Sequence, residues 1–430
     1  MVGSRVVIAM FLVAGTGLAR GAEIPYGVFG DWGGLRTDLA QHGVDLELSY
    51  TNESAVNVRG GDSREAAYAD QFYFGGWLNL ERLVGVPGAR IVFSLTDRHG
   101  ESLSVKAGLH NLIEVQGIYG LGNYARLNQL YWEQHLFGDR LLLKLGRLTG
   151  TFDFMPFSCY FQNLAFCATL PAHNVAANWI PFPGSTWAGV ARLDFKNDWY
   201  VQGGVYEVNP EFYEKKYRFA FGTPFGGPGE REVVEVGWLP KSAGVDGGYR
   251  LGAWYDNVGG NDLYLNTDGE PLATEGGIPL QRHHQSGFYA MAQQQVWTHA
   301  GSEKRRISLF ANFVQADRRI AEIQQIAEVG FFWTGPMSWR PQDDLSAAVA
   351  RVHVNSLIAQ GATLYNAQLP PPPGPAKPVP HNEYSSEIHY SVNVTPAITV
   401  RPNLQFIRAP GGVSERTSVV VLGLHLSVQF

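Results

Sequence analysis

The chain has 430 residues, of which only 17% are charged, well below the share of about 25% that is usual for soluble domains. Its 50 glycines, 13% aromatic residues and net charge of −6 exclude intrinsic disorder and argue against a nucleic-acid partner. Beyond the N-terminus there is no apolar run of about 18 residues, which excludes a helical membrane protein. Two classes remain: a large soluble β-protein and a transmembrane β-barrel.

The N-terminal segment has the pattern of a secretory signal peptide. Arg5 precedes the apolar stretch 6–13, and small residues follow as far as Ala22. We therefore predict a signal peptide over residues 1–21, with cleavage between 19 and 22. Residues 22–43 are expected to form a periplasmic N-terminal segment with a short helix.

After Gly43, apolar and polar residues alternate with the period of two that is typical of β-strands. The last strand is clearest, because Leu422 and Leu424 alternate with Gly423 and His425. Many polar positions carry charges, which the dry core of a sandwich rejects and a water-filled lumen accepts. Sixteen segments fit this pattern: 44–57, 67–81, 89–98, 126–136, 141–149, 186–195, 199–207, 232–239, 248–257, 286–297, 305–315, 325–334, 344–355, 385–394, 398–407 and 417–430.

The connections between these segments alternate between long and short. Proline cannot donate to a strand ladder, so the proline-rich stretch 369–380 is assigned to a long loop. Long loops on one side and tight turns on the other are the layout of an outer-membrane barrel. We predict an all-β fold over residues 44–430, a transmembrane antiparallel barrel of about 16 strands with long extracellular loops and short periplasmic turns.

Two cysteines, Cys159 and Cys167, lie in the long connection 150–185. An exported protein enters an oxidising compartment, so we expect them to form a disulfide that closes a small loop. Two buried free thiols are the alternative. No histidine lies within residues 157–167, and no metal site is predicted there.

Further motifs follow one another along the chain. They are Gly30-Asp-Trp-Gly-Gly-Leu-Arg36, Leu95-Thr-Asp-Arg-His-Gly-Glu-Ser-Leu-Ser104, Arg126-Leu-Asn-Gln-Leu-Tyr-Trp-Glu-Gln134, Lys144-Leu-Gly-Arg147 and Gln405-Phe-Ile-Arg-Ala-Pro-Gly-Gly412. This ordered set resembles the OprB-type family, the carbohydrate-selective porins of Gram-negative outer membranes, over nearly the whole mature chain. The resemblance implies a 16-stranded channel for passive diffusion of sugars, and it does not fix which sugar.

No motif for metal-assisted hydrolysis, a serine nucleophile or phosphate binding occurs, so neither an enzyme nor a cofactor is predicted. The expected partners are sugars and outer-membrane lipid, with a homo-oligomer left open. Two alternatives remain. One is an outer-membrane porin of another selectivity, for anions or amino acids. The other is a soluble exported sugar-binding β-protein.

A sugar channel needs aromatic rings for the CH faces of the sugar and polar groups for its hydroxyls. Strand parity and resemblance together give these candidate pore-lining residues: Arg98, Arg126, Arg147, Lys144, Glu81, Arg192, Arg250, Arg351, Glu387, Tyr73, Trp77, Trp254 and Asn163. The aromatic residues could instead belong to the aromatic belts at the membrane interface. The charged residues could instead lie on the lumen wall in contact with water, without narrowing the pore. Arg98 is the first choice for the constriction.

The motif arginines after Arg98 are harder to place. Arg126 and Arg147 rest on resemblance more than on parity. Arg147 shares a face with Leu143 and Leu145, so a bulge or a strand end must change its direction. The loop 150–185, which contains Asn163, is expected to fold inward and narrow the pore.

Overall fold

The computed structural model describes residues 27–157, 159–173, 175–176, 178–242, 245–368 and 374–430. The predicted signal peptide lies outside the described residues. So do residues 22–26 of the predicted periplasmic segment and residues 369–373 of the proline-rich loop.

Sixteen antiparallel strands form one closed sheet, which confirms the predicted barrel. Strands are favoured because β-branched and aromatic residues are frequent in segments where apolar and polar side chains alternate. Closure of the sheet leaves no unpaired strand edge in the bilayer. The strands are β1 (Val44–Arg59), β2 (Ala66–Asn79), β3 (Ala89–Gly100), β4 (Ala125–Leu136), β5 (Leu141–Leu148), β6 (Thr186–Asp194), β7 (Trp199–Val208), β8 (Gly229–Trp238), β9 (Val245–Asp256), β10 (Gln285–His299), β11 (Ser302–Gln315), β12 (Ile323–Thr334), β13 (Asp344–Val354), β14 (Asn382–Thr395), β15 (Ile398–Arg408) and β16 (Val419–Gln429).

Each strand pairs with its neighbours along the chain, and pairing of β1 with β16 closes the barrel. The α-helices of the described residues are short and lie outside the sheet, and none is long and apolar enough to cross a membrane. They are α1 (Leu35–Gln41), α2 (Leu80–Val84), α3 (Leu103–Lys106), α4 (Gly150–Asp153), α5 (Leu272–Glu275) and α6 (Ser356–Asn366). Smaller strands are Lys241–Ser242, which pairs with the start of β9, and the hairpin of Asn261–Asn266 with Pro279–Gln281.

The loops that follow odd-numbered strands lie at one end of the barrel, called here the long-loop end, and the turns after even-numbered strands lie at the short-turn end. This sorting agrees with the predicted layout. The loops are L1 (60–65), L2 (101–124), L3 (149–185), L4 (209–228), L5 (257–284), L6 (316–322), L7 (355–381) and L8 (409–418).

The outer face of the barrel is an apolar belt of exposed side chains, such as Phe72, Leu145, Val329, Leu422 and Leu424. Exposed apolar side chains in this number suit a surface that contacts lipid. At the short-turn end, Trp199, Trp238 and Tyr249 form a row across three strands, with ring centroids 5.7 and 5.4 Å apart. Amphipathic rings of this kind are typical of the membrane interface.

The lumen is largely filled by L3, which folds inward as the sequence predicts. Phe154, Phe161 and Trp179 of this loop are almost fully buried and pack against Phe310 and Ile326 of the wall. L2 forms a second, smaller core against β1, β15 and β16. The wall behind L3 therefore has apolar side chains on its inner face as well as on its outer face.

This core explains why the inward position predicted for Arg351 is wrong. In β13, the inward residues are Ala348, Ala350 and Val352, which belong to the core under L3. Arg351 alternates with them and lies on the outer face, where its guanidinium donates a hydrogen bond to Gln325 Oε1 at 2.6 Å. The alternation of apolar and polar residues cannot show which face of a strand points inward when both faces are apolar.

The end of the second strand also departs from the predicted pattern. The second strand ends at Asn79, two residues earlier than predicted, and Glu81 lies in α2 within a turn at the short-turn end. The strand position predicted for Glu81 is therefore wrong. Asn79 ends the strand because its side chain accepts a hydrogen bond from Arg82 N and caps the helix.

In the sequence of β4, Arg126 has the parity of the apolar residue Leu130, so the alternation must be interrupted between them. The structure shows this interruption within β4. The pairing with β3 skips one residue between Gln129, opposite Ser94, and Leu127, opposite Leu95. A β-bulge at this point reverses the phase of the strand. Arg126 therefore shares the inner face with Gln129 and is separated from Leu130.

Candidate functional site

Carboxylates of the barrel wall hold the inward loops in place. Glu387 on β14 accepts hydrogen bonds from the backbone N–H groups of Gln162 at 3.0 Å and Asn163 at 2.7 Å in L3. Glu235 on β8 accepts from Met155 N at 3.0 Å, and Glu53 on β1 accepts from Ile118 N of L2 at 3.1 Å. These side chains are buried against the loops, so Glu387 is an anchor for L3 rather than an exposed wall charge.

Other predicted site residues also lie within this loop packing. The Asn163 side chain donates to Gln405 Oε1 at 2.9 Å and accepts from Ala165 N at 2.9 Å, and it is fully buried. Trp254 packs edge to face against Trp179, with centroids 5.7 Å apart. Asn163 fixes L3 from within the loop and Trp254 supports it from the wall, and neither presents a free surface to a solute.

The two cysteines form a disulfide within L3, with Cα atoms 4.1 Å apart. His173 follows in the same loop, and burial lowers its pKa to about 3, so the loop carries no imidazolium charge at neutral pH. L3 is thus a cross-linked, mostly neutral insert whose attachments come from charged groups of the wall.

Arg98 lies where three parts of the molecule meet. Its guanidinium donates to Gln71 Oε1 on β2 at 2.8 Å and to the Gly120 carbonyl of L2 at 3.4 Å. The ring of Phe182 in L3 lies 5.4 Å from the guanidinium carbon and 5.3 Å from the ring of Phe152. Arg98 therefore joins the wall to both inward loops, close to two partly exposed aromatic rings.

Arg126 and Arg147 contact loops at the long-loop end of the barrel. Arg126 donates to the Phe212 carbonyl of L4 at 2.6 Å and to the Leu121 carbonyl of L2 at 3.2 Å. Arg147 keeps the face of Leu145, which is the outer face of the barrel, so the pore-lining position predicted for Arg147 is wrong. It lies under L4, with the Phe212 ring 3.9 Å from its guanidinium carbon.

Below the loops, charged and aromatic side chains line the short-turn half of the lumen, called here the vestibule. Arg192 stacks on the ring of Tyr200 at 3.7 Å, and Arg250 donates to the Tyr200 hydroxyl at 3.0 Å. That hydroxyl in turn donates to Glu235 at 2.6 Å. Tyr200 lies flat on Gly237, where a Cβ atom would be 2.2 Å from the ring.

The remaining candidates complete the vestibule. Lys144 forms an ion pair with Asp153 of L3 at 2.7 Å. Trp77 faces the lumen near the short-turn end, and Arg90 lies over its ring at 5.7 Å. Arg90 also pairs with Glu133 at 2.6 Å. Tyr73 is on the same inward face of β2 as Trp77, four residues closer to the long-loop end.

Sequence reasoning left Phe182, Gln71 and Glu53 out of the predicted site. The inward parity of Glu53 on the first strand is a signal that could have identified it. Gln71 has the inward parity of Tyr73 on β2, which could also have identified it, whereas the position of Phe182 depends on how L3 folds. Among the described residues, no group of three or more His, Cys, Asp or Glu is placed to hold a metal ion.

Comparison with known proteins agrees with this geometry. A family model described as carbohydrate-selective porin, OprB family, matches residues 63–430. The chain is 35% identical to Porin B of Pseudomonas aeruginosa, over 99% of this chain and 98% of that protein. It is 27% identical to the putative porin QuiX of Acinetobacter baylyi, over 94% and 93% of the two chains.

Among solved structures, the high-pH structure of Pseudomonas putida OprB matches with a TM-score of 0.90 and 36% identity, over 94% of this chain and 98% of that one. The low-pH structure of the same protein matches with a TM-score of 0.59. Family and fold indicate a channel rather than an enzyme. The chain belongs to the carbohydrate-selective porin, OprB family, and it is a Gram-negative outer-membrane channel through which carbohydrates diffuse passively.

Proposed function

We propose that sugars cross the barrel by way of the vestibule and a constriction between Arg98, L2 and L3. The observation that carries this proposal is the position of Arg98, which bonds Gln71 and Gly120 beside the Phe182 ring. A fork of guanidinium donors and an apolar ring suit the hydroxyls and the CH face of a pyranose. The vestibule repeats this combination at Trp77 and Arg90, which are in contact and both partly exposed.

Weak interactions in series suit passive transport. A solute must bind well enough to enter and loosely enough to leave, and single hydrogen bonds of about 0.5–1.5 kcal/mol to neutral partners meet this need. Most vestibule charges already have partners, for example Arg90 with Glu133 and Lys144 with Asp153. A neutral sugar therefore meets a polar wall without a large uncompensated charge.

The test is conductance of the pure protein in planar bilayers, with sugars added on either side. We expect ion current to be blocked by sugars in a saturable way, and Arg98→Ala to weaken that block. A channel of anion or amino-acid selectivity is the rival candidate. Strong chloride selectivity without any sugar block would favour that rival and contradict the proposed pathway.

The assignment of this lumen to transport rather than to glycoside cleavage is tested separately. Inward carboxylates such as Glu235 and Glu387 are bonded to loop N–H groups, which leaves them poorly placed to act as acid and base. We expect oligosaccharides incubated with the pure protein to remain intact. Cleavage products that disappear in Glu235→Gln would contradict this.

A further inference from the structure

The outer face of the barrel carries a row of basic and aromatic side chains at its long-loop end. Arg351 of β13 is opposite Tyr384 of β14, and Tyr384 is opposite Arg408 of β15. Directly opposite residues of adjacent strands share a face, so the three side chains lie side by side on the outer surface. Two strand spacings of about 4.8 Å separate the two arginines by about 10 Å.

This row marks the upper edge of the apolar belt. Below it on the same face lie Val349, Ile388 and Phe406, which are 50%, 46% and 42% exposed. Beyond Arg351 and Arg408, β13 ends three residues later and β15 ends at once. A charged side chain near the membrane interface costs far less free energy than one at the bilayer midplane. The row therefore has the depth of lipid headgroups.

No acidic residue shares this part of the outer face. The neighbouring outward residues on these strands are Gln325, His353, Asn382 and Ser386, and none of them is acidic. The same height on β2 and β3 differs, since Asp70 and Asp97 lie there next to His99. The sector of β13–β15 therefore differs from that of β2 and β3 in carrying basic side chains without an acidic neighbour.

We propose that the Arg351–Tyr384–Arg408 row binds the phosphate of an anionic lipid in the outer leaflet. Guanidinium groups bond phosphate oxygens through two parallel N–H donors, and the tyrosine hydroxyl between them offers a third donor. The acyl chains of the same lipid would cover Val349, Ile388 and Phe406. The inference rests on the outer-membrane location and is independent of the sugar pathway.

The test uses folded protein in detergent and native mass spectrometry with lipid A, which carries two phosphates. The matched probes are monophosphoryl lipid A and inorganic phosphate. We expect lipid A to bind wild type, and the double variant Arg351→Ala/Arg408→Ala to weaken binding about twenty-five-fold, since each basic residue contributes about fivefold near an anionic surface. Monophosphoryl lipid A should bind wild type more weakly, and inorganic phosphate should compete poorly.

Two controls keep this result interpretable. Arg64→Ala removes an exposed arginine of L1 at the same end of the barrel, where it bonds only the Gly60 carbonyl, and it should leave lipid binding unchanged. Arg351→Lys/Arg408→Lys keeps both charges if the alanine variant folds poorly, and it should bind with intermediate strength. Lipid A binding that survives the double alanine change, or equal losses in Arg64→Ala, would overturn the proposal. Sugar block should be unchanged in all variants.

Discussion

The lumen has two regions in which the same kinds of residue have different roles. In the region behind L2 and L3, wall carboxylates and arginines bond the backbone of inward loops, as Glu387 does with Gln162 and Asn163. In the vestibule, charged side chains bond one another, as Arg90 does with Glu133. Buried charges that hold backbone groups determine the shape of the pore, whereas paired charges near water determine its local field.

This difference predicts a gradient of effects. Removing a group that anchors a loop leaves buried N–H groups unsatisfied and lets the loop move, so the pore itself changes. Removing a vestibule charge leaves the pore shape intact, and salt screens the lost field. Conductance measurements on matched variants therefore separate the two regions.

The largest effect is expected for Glu387→Ala. The change removes the acceptor for two L3 N–H groups, and each such bond to a charged group is worth about 1.5–3 kcal/mol. We expect conductance to rise more than in the other variants described here, with sugar block nearly lost. Glu328→Ala is the matched control, because Glu328 is a buried lumen-facing residue bonded by Asn312 and not by a loop backbone. Equal conductance changes in both variants would contradict the anchor role.

Arg98→Ala comes next. It removes the donors to Gln71 and Gly120, so L2 loses one of its contacts with the wall and the passage beside Phe182 widens. We expect higher conductance and sugar block weakened about tenfold, the equivalent of one hydrogen bond to a charged group. Arg98→Lys keeps the charge but cannot span both partners, so its sugar block should be intermediate. A lysine variant as weak as alanine would assign the effect to geometry alone.

A smaller effect is expected when both cysteines are replaced by serine. The Cys159–Cys167 disulfide restrains only a short part of L3, while the barrel depends on its closed ladder of backbone hydrogen bonds. Current noise should therefore increase, and the thermal midpoint of the barrel should stay close to that of the wild type. Mass spectrometry of non-reduced peptides checks the bond. A large fall in the thermal midpoint would mean that L3 supports the barrel.

The smallest effect is expected for Arg90→Ala in the vestibule. Its loss leaves Glu133 with His135 as a remaining partner at 3.0 Å, so the wall stays ordered. Ion selectivity should shift slightly towards cations at low salt. The shift should vanish in 1 M salt, where the screening length falls to about 3 Å. An effect comparable to that of Arg98→Ala would erase the distinction between the two regions.

Much of the fold could be predicted from the sequence, because the period of two and the sorting of loops follow directly from a barrel in lipid. Parity correctly placed Arg98, Arg192 and Arg250 on the inner face. It failed at Arg351, where L3 makes the inner face apolar as well. It also failed at Glu81, where capping by Asn79 ends the strand early.

The candidate site was less predictable, because it depends on loops. Glu387, Asn163 and Trp254 lie on the inner side as expected, yet the folded L3 covers them. Phe182 and Arg98 come together through the folding of L3, and no periodic pattern in the sequence indicates that contact. Composition alone could indicate aromatic and charged lumen residues without showing which of them L3 would bury.

Closure of the barrel has a consequence for folding. Glu53 of β1 and His425 of β16 lie 3.4 Å apart across a sequence separation of 372 residues. Contacts of such high order form slowly, and until they form the sheet has two unpaired edges that other chains can join. Substitutions that disturb the pairing of β1 with β16 should therefore reduce the yield of assembled barrels. The barrels that do close should still conduct normally.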